Sequence, residues 1–264
     1  MYVVTSITIS IGLPLTLLAI YGVCSLVQNN HVARINIINL LISDLIQLCC
    51  MIAWVARRGD EKIMNVVNAF YFFGLMASVG FMVCLALERY LLISCPLWYR
   101  FRRSIKISAV VCIMVWVLTL ACVLILHFWA NFTCQKIVLG IFFLLPLPLL
   151  IFFLGGTIKA LSASRVPSDE KRRIVGILVL VLLIYMLLFM PRIICYLAEG
   201  YIFDYTLLNL SFVFLQLSPL ADVFLYVFIR KGTIDKLLAS VCCCRMDSND
   251  SSTMDSNDIT SRTV

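Results

Sequence analysis

The sequence predicts an all-α membrane protein, a bundle of seven transmembrane helices with a short amphipathic cytoplasmic helix after it. Three observations carry that prediction. Apolar residues make up 62% of the 264 residues and charged ones 13%, whereas a soluble domain is about half apolar and a quarter charged. Apolar stretches of about 20 residues, the length that crosses a hydrocarbon core of ~30 Å as a helix, recur along the whole chain, and mean hydropathy is +1.03. Lys and Arg, finally, are concentrated in alternate connections between those stretches.

The predicted spans are 3–27, 33–56, 63–93, 106–128, 137–161, 174–198 and 206–229, with interfacial ends that hydropathy marks only to within a few residues. The first is too long, and too weakly basic at its start, for a removable signal peptide. One set of connections holds Arg34, the cluster Arg100 to Lys106, then Lys159 to Arg173, and Arg230 to Arg245. The other set holds Arg57, Arg58, Lys62 and Lys136, partly offset by Asp60 and Glu61. The richer side is the cytoplasmic one, so the N-terminus is expected outside and the C-terminus inside, as for a multi-pass protein of the plasma membrane. The net charge of +7 follows from that asymmetry. A nucleic-acid partner would need basic and aromatic residues interleaved on a solvated domain, and none is present.

The chain divides into a transmembrane domain at 1–229, an amphipathic helix with a cysteine cluster at 230–244, and a disordered tail at 245–264. RKGTIDKLLAS (230–240) has apolar residues at helical spacing between basic ends, the pattern of a helix lying on the membrane lipids. Cys242, Cys243 and Cys244 follow it, a palmitoylation context or three free thiols. MDSND occurs at 246–250 and again at 254–258 in an acidic, Ser/Thr-rich stretch. Such a stretch is a solvated tail or a target whose phosphorylation adds dense negative charge.

The stretch CLALERYLLISC (84–95) sets Glu88 beside Arg89 at the end of the longest span. Charge at such a depth is expensive and tends to be functional, although an arginine can also snorkel to the membrane edge. Glu88-Arg89-Tyr90, followed by Cys95-Pro96-Leu97, resembles the DRY/ERY signature that ends the third helix of the rhodopsin-like (class A) G-protein-coupled receptors. The likeness extends along nearly the whole chain. GLPLTLLAIYG (12–22) is similar to the first-span GxPxN segment, with Thr16 in place of asparagine. NLLISDL (39–45) matches NLxxxDL, with Asp44 as its carboxylate. Ser78 matches the serine that helps coordinate sodium beside that carboxylate, and Trp116 the fourth-span tryptophan. Pro146 or Pro148 corresponds to the fifth-span proline. LLFMP (187–191) resembles CWxP with Phe189 in place of tryptophan, and DVFLY (222–226) resembles DPxxY without its proline. Within the receptors, the branch it looks nearest to is the one that senses nucleotides, lipids, hydroxy acids and protons.

The resemblance implies roles for these residues. Glu88 restrains Arg89 in the inactive state and releases it towards a heterotrimeric G protein; Tyr90, Phe189, Pro191, Asp222 and Tyr226 complete the switch. Many relatives strengthen the lock with an acid on the inner sixth helix, where this chain has Lys171, so a looser lock with raised basal activity is expected. The fifth-span tyrosine that supports the freed arginine is replaced by Leu154 or Gly156. A mid-membrane aspartate must face the bundle interior and find a partner, an ion or a proton. Asp44, Ser78, Asp222 and Thr16 are therefore expected to share a polar cavity that holds a sodium ion or a proton, or else a hydrogen-bonded cluster around a neutral Asp44. Pro191 removes a backbone hydrogen bond and kinks the sixth helix, and Pro219 stands one turn before the missing seventh-span proline.

On the outer side the expected ligand pocket comprises Tyr71, Phe72, Leu75, Phe189, Arg192, Tyr196 and Gln216, with Trp54 at its edge. Tyr71 stands where amine receptors carry aspartate, and Gln216 where opsins carry the retinal lysine; neither ligand type is expected. Arg192 either binds a carboxylate or phosphate bidentately, or snorkels, or pairs with Glu199. A small anionic or lipid-like ligand is the reading. Most of the 12 cysteines fall in spans or on the reducing side. Cys134 lies in the second outer loop, and the third-helix position of its usual partner holds Met64, leaving an odd thiol. Asn131-Phe132-Thr133 is a glycosylation acceptor. Arrestin and a receptor kinase are further expected partners of the tail. A transporter would show paired halves and internal repeats, and an enzyme a catalytic set of His, Cys, Asp or Ser; neither appears, so no enzyme activity is expected. The alternative to a signalling receptor is a receptor-like decoy, a partner-modulating protein or an odorant-type chemosensor.

Overall fold

The computed structural model describes residues 2–25, 31–56, 61–94, 105–128, 131–163, 168–197 and 205–229. All of them are helical except Asn131, Leu145 and Leu217, and none lies in a strand. Seven segments are long and apolar enough to cross a bilayer: Val3–Ser25, Ile35–Ala56, Glu61–Ser94, Ile107–Phe128, Cys134–Ser162, Ile174–Leu197 and Leu207–Ile229. They coincide with the spans read from hydropathy to within a few residues, because helix is the conformation in which a single segment satisfies its own backbone in lipid. The chain separates into two units, Met1–Val227 and Phe228–Val264, and of the second only residues 228–229, which are helical, are described. The expected amphipathic helix, Cys242, Cys243, Cys244 and the tail lie outside the described residues, as do Cys95, Pro96, Leu97 and Glu199.

Two spans are interrupted, and the cause of each interruption is a proline. The fifth consists of helices Phe132–Leu144 and Pro146–Ala163 with a turn at Leu145. Pro146 has no N–H to give to the carbonyl one turn back, and Pro148 repeats the loss. The break falls immediately before Pro146, whereas the sequence left the two prolines equivalent. The seventh span stops at Gln216 and resumes at 218. There Leu217 N–H tightens onto the Phe214 carbonyl at 3.1 Å, two residues before Pro219, whose ring cannot sit in a regular turn. The sixth helix, by contrast, runs unbroken from Ser168 to Leu197 with Pro191 inside it.

The third span is the central post. It packs against the second, fourth, fifth and sixth, and 61% of its most apolar stretch is buried against 17% for the fourth. The first span packs on the second and seventh, and the sixth on the fifth and seventh. Close approach of the second and third depends on Gly74, where a Cβ would lie 2.9 Å from the Ser43 carbonyl. Small residues at such contacts are what let membrane helices pack, since lipid supplies no hydrophobic drive between them. The polarity is accordingly turned inward. Ser43, Asp44, Gln47, Ser78, Thr157, Ser218 and Asp222 have no exposed surface, while Ile113, Leu118, Phe152 and Leu187 are exposed on a perimeter suited to acyl chains.

Candidate functional site

At one end of the bundle the third span presents Glu88, Arg89 and Tyr90. Glu88 is buried and accepts a hydrogen bond from Asn36 Nδ2 at 3.1 Å, from the second span. Arg89 is half-buried, with its buried Nε unmatched by a hydrogen-bond acceptor. The Tyr90 ring turns to the fifth span, stacking on Phe153 at 5.6 Å and 29° and meeting Phe152 at 5.8 Å. It occupies the notch left by Gly156, where a Cβ would stand 2.5 Å from Tyr90 Cε2. The fifth-span position without a tyrosine is thus filled by a tyrosine from the third span. Lys171 lies on the sixth helix, but its side chain is outside the described residues. Trp116 donates to Asn39 Oδ1 at 2.9 Å, tying the fourth span to the second.

The middle of the bundle holds a polar core. Ser78 Oγ donates to Asp222 Oδ2 at 2.9 Å, joining the third and seventh spans. Asp44 accepts a long bond of 3.4 Å from Gln47 Nε2, and Ser218 Oγ donates to Gln47 Oε1 at 3.0 Å. The carboxyl groups of Asp44 and Asp222 lie within interaction range of each other. Asp44 Oδ2 and Asp222 Oδ1 are buried without a hydrogen-bond partner. In a low-dielectric interior two facing carboxylates are tolerated only with a cation or a proton between them. The donor set is oxygen alone, which fits a hard monovalent ion better than a soft metal. Asp44, Ser78 and Asp222 are the residues that would hold it. Gln47 and Ser218 are additional members that the motif reading missed, one turn after Asp44 and one turn before Asp222 on the same faces. Thr16 is buried, yet its hydroxyl makes no hydrogen bond.

Above that core Phe189 has no exposed surface; it stacks on Tyr185 at 4.8 Å and 17° and meets Phe143 at 5.5 Å. The Tyr185 hydroxyl donates to the Phe143 carbonyl, next to the break in the fifth span. Pro191 follows Phe189 in the unbroken sixth helix. Tyr226 is buried with its hydroxyl unmatched.

The opposite end of the bundle carries an aromatic cluster. Trp54 lies 4.6 Å from Tyr71 and 5.6 Å from Phe212, and Tyr71 meets Phe72 edge-on at 5.8 Å. Arg192 sits over the rings of Tyr196 at 4.6 Å and Phe212 at 5.8 Å, and its Nη1 donates to Ser211 Oγ at 3.4 Å. The buried Nε of Arg192, the Tyr71 hydroxyl and Trp54 Nε1 all lack hydrogen-bond partners. Three residues singled out from sequence, Trp54, Tyr71 and Arg192, thus gather around Phe212, which was not, and Tyr196 joins them through Arg192. A cavity of about 250 Å³ is lined by Phe212 together with Thr5, Trp54, Val55, Met64, Asn68 and Gln216. It opens between the first, second, third and seventh spans rather than the third, fifth, sixth and seventh. Gln216 accepts from Thr5 Oγ1 at 3.0 Å in its wall. Leu75 and Tyr71 are fully buried and do not line it. Asn131 is exposed ahead of the fifth-span helix, and Cys134 is an exposed free thiol.

Seven apolar helices of membrane-crossing length thus surround a buried carboxylate core, with an Arg–aromatic cleft at one end. The family described as 7 transmembrane receptor (rhodopsin family) matches residues 16–138. Among curated proteins, the type-1 angiotensin II receptor of Oryctolagus cuniculus is 29% identical over 120 residues, covering 43% of this chain and 33% of that receptor. The Mas-related G-protein coupled receptor member A6 of Mus musculus is 30% identical over 112 residues, covering 39% and 36%. The C-C chemokine receptor type 1 of Homo sapiens is 26% identical over 216 residues, covering 70% and 60%. The chain thus spans a third to three fifths of the length of these relatives. Over residues 16–138 it is similar to the rhodopsin-like receptors, and its seven apolar helices are those of a multi-pass membrane protein.

Proposed function

We propose that this protein is a G-protein-coupled receptor that transduces binding of a small anionic or lipid-like ligand to a heterotrimeric G protein. The observation that carries the reading is the seating of Glu88-Arg89-Tyr90, with Glu88 held from the second span and Tyr90 keyed into the fifth. An arginine with an unmatched buried Nε at the end of the central post is a group that a partner can engage once neighbouring helices part. Pro191 and the break at Leu217 give the sixth and seventh spans weak points about which to bend.

The ligand class rests on Arg192. A guanidinium held over two aromatic rings, with a buried Nε that has no hydrogen-bond partner, is preorganised for a carboxylate or phosphate. The adjoining cavity offers mainly apolar walls, with Thr5, Asn68 and Gln216 as its polar members. Asp44, Ser78 and Asp222 are proposed to hold a sodium ion, which stabilises the state that encloses it. The remaining assignments follow from orientation: N-terminus outside, C-terminus cytoplasmic, a sugar at Asn131, palmitoyl groups at Cys242 to Cys244, and arrestin and kinase contacts through the tail.

The test is nucleotide exchange on purified G proteins by the full chain in nanodiscs without ligand, beside Arg89→Ala and Lys171→Glu. Basal exchange that Arg89→Ala changes and Lys171→Glu lowers supports a signalling receptor with a loose lock. A folded, surface-expressed parent with no exchange on any G-protein class, and indifferent to both substitutions, favours a decoy or partner-modulating role. The observation favouring that second reading is Tyr90 in the Gly156 notch, which ties together two helices that a G protein must approach.

A further inference from the structure

A hydrogen-bond chain crosses the fourth, second and third spans and ends on Glu88. Trp116 Nε1 donates to Asn39 Oδ1 at 2.9 Å. Asn39 Nδ2 donates to the Ile35 carbonyl at 2.8 Å and to Cys112 Sγ at 3.6 Å. The Cys112 thiol donates to Asn36 Oδ1 at 3.5 Å, and Asn36 Nδ2 donates to Glu88 Oε2 at 3.1 Å. Cys112, Asn36 and Glu88 are all buried.

The direction of the chain is set by its two ends. An indole N–H only donates, and a carboxylate only accepts. The Asn36 amide must therefore turn its nitrogen to Glu88 and its oxygen to Cys112, so the thiol hydrogen has to point at Asn36. The sulfur lone pair is left to accept from Asn39. Every member is used in a single sense, and the bond to Glu88 is the charge-assisted one. Bonds arranged head to tail in a low dielectric polarise one another in the same direction. Without the thiol the Asn36 amide oxygen loses its donor, and the amide is held at its nitrogen end alone instead of at both ends.

We infer that Cys112 is a positioning residue for the arginine switch: by orienting the Asn36 amide it holds the Glu88 carboxylate towards the second span. This rests on the receptor reading of Glu88 and Arg89. It gives the acid a restraint that does not depend on the sixth helix, where Lys171 stands in place of an acid.

The experiment has two readouts on the full-length chain in nanodiscs. The first is ligand-free nucleotide exchange for Cys112→Ala, Cys112→Ser and Asn36→Leu, normalised to folded protein. Loss of one weak buried hydrogen bond corresponds to a rise of about two- to fivefold for Cys112→Ala, and Cys112→Ser, which keeps a donor, stays close to the parent. The second is the infrared S–H stretch of Cys112, isolated from the other cysteines by subtracting the Cys112→Ser spectrum. It appears at a hydrogen-bonded frequency and moves to that of a free thiol in Asn36→Leu. Equal exchange by the serine and alanine variants, or a band unmoved by Asn36→Leu, overturns the inference. Absence of exchange in the parent and in Arg89→Ala counts against the signalling reading alone. The band then decides the chain, an Asn36-dependent shift upholding it and an unmoved band overturning it.

Discussion

Placing a methyl group at Gly156 tests whether Tyr90 is keyed into the fifth span. The new Cβ would stand 2.5 Å from Tyr90 Cε2, 3.2 Å from Cδ2 and 3.4 Å from Cζ. Carbon atoms in favourable contact sit about 3.5–4.0 Å apart, so the ring edge must retreat by about 1 Å. It cannot retreat freely, because its face stacks on Phe153 and its edge meets Phe152. Overpacking of this kind costs about 1–3 kcal/mol. Replacing glycine by alanine inside a helix returns about 0.5–1 kcal/mol. Gly156→Ala should therefore lower stability by about 0–2.5 kcal/mol, the difference of those two ranges. In a Tyr90→Ala background the collision is gone, and the same substitution should stabilise. Gly155, whose Cβ would meet nothing within 4 Å, is the control: Gly155→Ala should stabilise in both backgrounds. Thermal midpoints of the four-protein cycle give the coupling energy, expected at about 1–3 kcal/mol. If Gly156→Ala shifts the midpoint equally with and without the Tyr90 ring, the keyed contact is not what holds the two spans there.

Four further substitutions probe the core and the cleft. Ser78→Ala removes the 2.9 Å bond to Asp222 and leaves a buried carboxyl oxygen without its donor, a loss of about 1–3 kcal/mol. If sodium occupies the core, the parent should melt higher in sodium chloride than in choline chloride, and the difference should vanish in Asp44→Asn; equal sodium sensitivity in that variant would sink the ion assignment. Arg192→Leu should abolish stabilisation by carboxylate- or phosphate-bearing amphiphiles in a thermal-shift screen. Its effect on the ligand-free midpoint should stay near the ~0.5–1 kcal/mol of a cation–π contact, and unchanged response to anionic compounds would refute the ligand reading. Tyr185→Phe deletes the donor to the Phe143 carbonyl and should cost about 1 kcal/mol, visible as faster amide exchange around the break at Leu145 without change elsewhere.

Hydropathy alone determined the number of spans and their limits, because a segment in lipid has to satisfy its own backbone and its length has to match the bilayer. Motif spacing identified Asp44, Ser78, Glu88, Arg89 and Asp222, since each sits at a recognisable offset within one helix. Which residues complete the sites was another matter. Gln47 and Ser218 join the carboxylate core, Phe212 becomes the hub of the aromatic cleft, and Asn36 and Cys112 reach Glu88, all through contacts between different helices. A one-dimensional pattern reports the face a residue takes on its own helix, but not the rotation of the neighbouring helix that meets it. Pro146 and Pro148 looked equivalent in sequence; the helix breaks ahead of the first, beside the Phe143 carbonyl that Tyr185 of the sixth span engages. Gly156 read as the absence of a tyrosine. Only the packing of the third span against the fifth decided that the empty volume belongs to Tyr90, because the size of a notch is a property of two surfaces and neither helix encodes it alone.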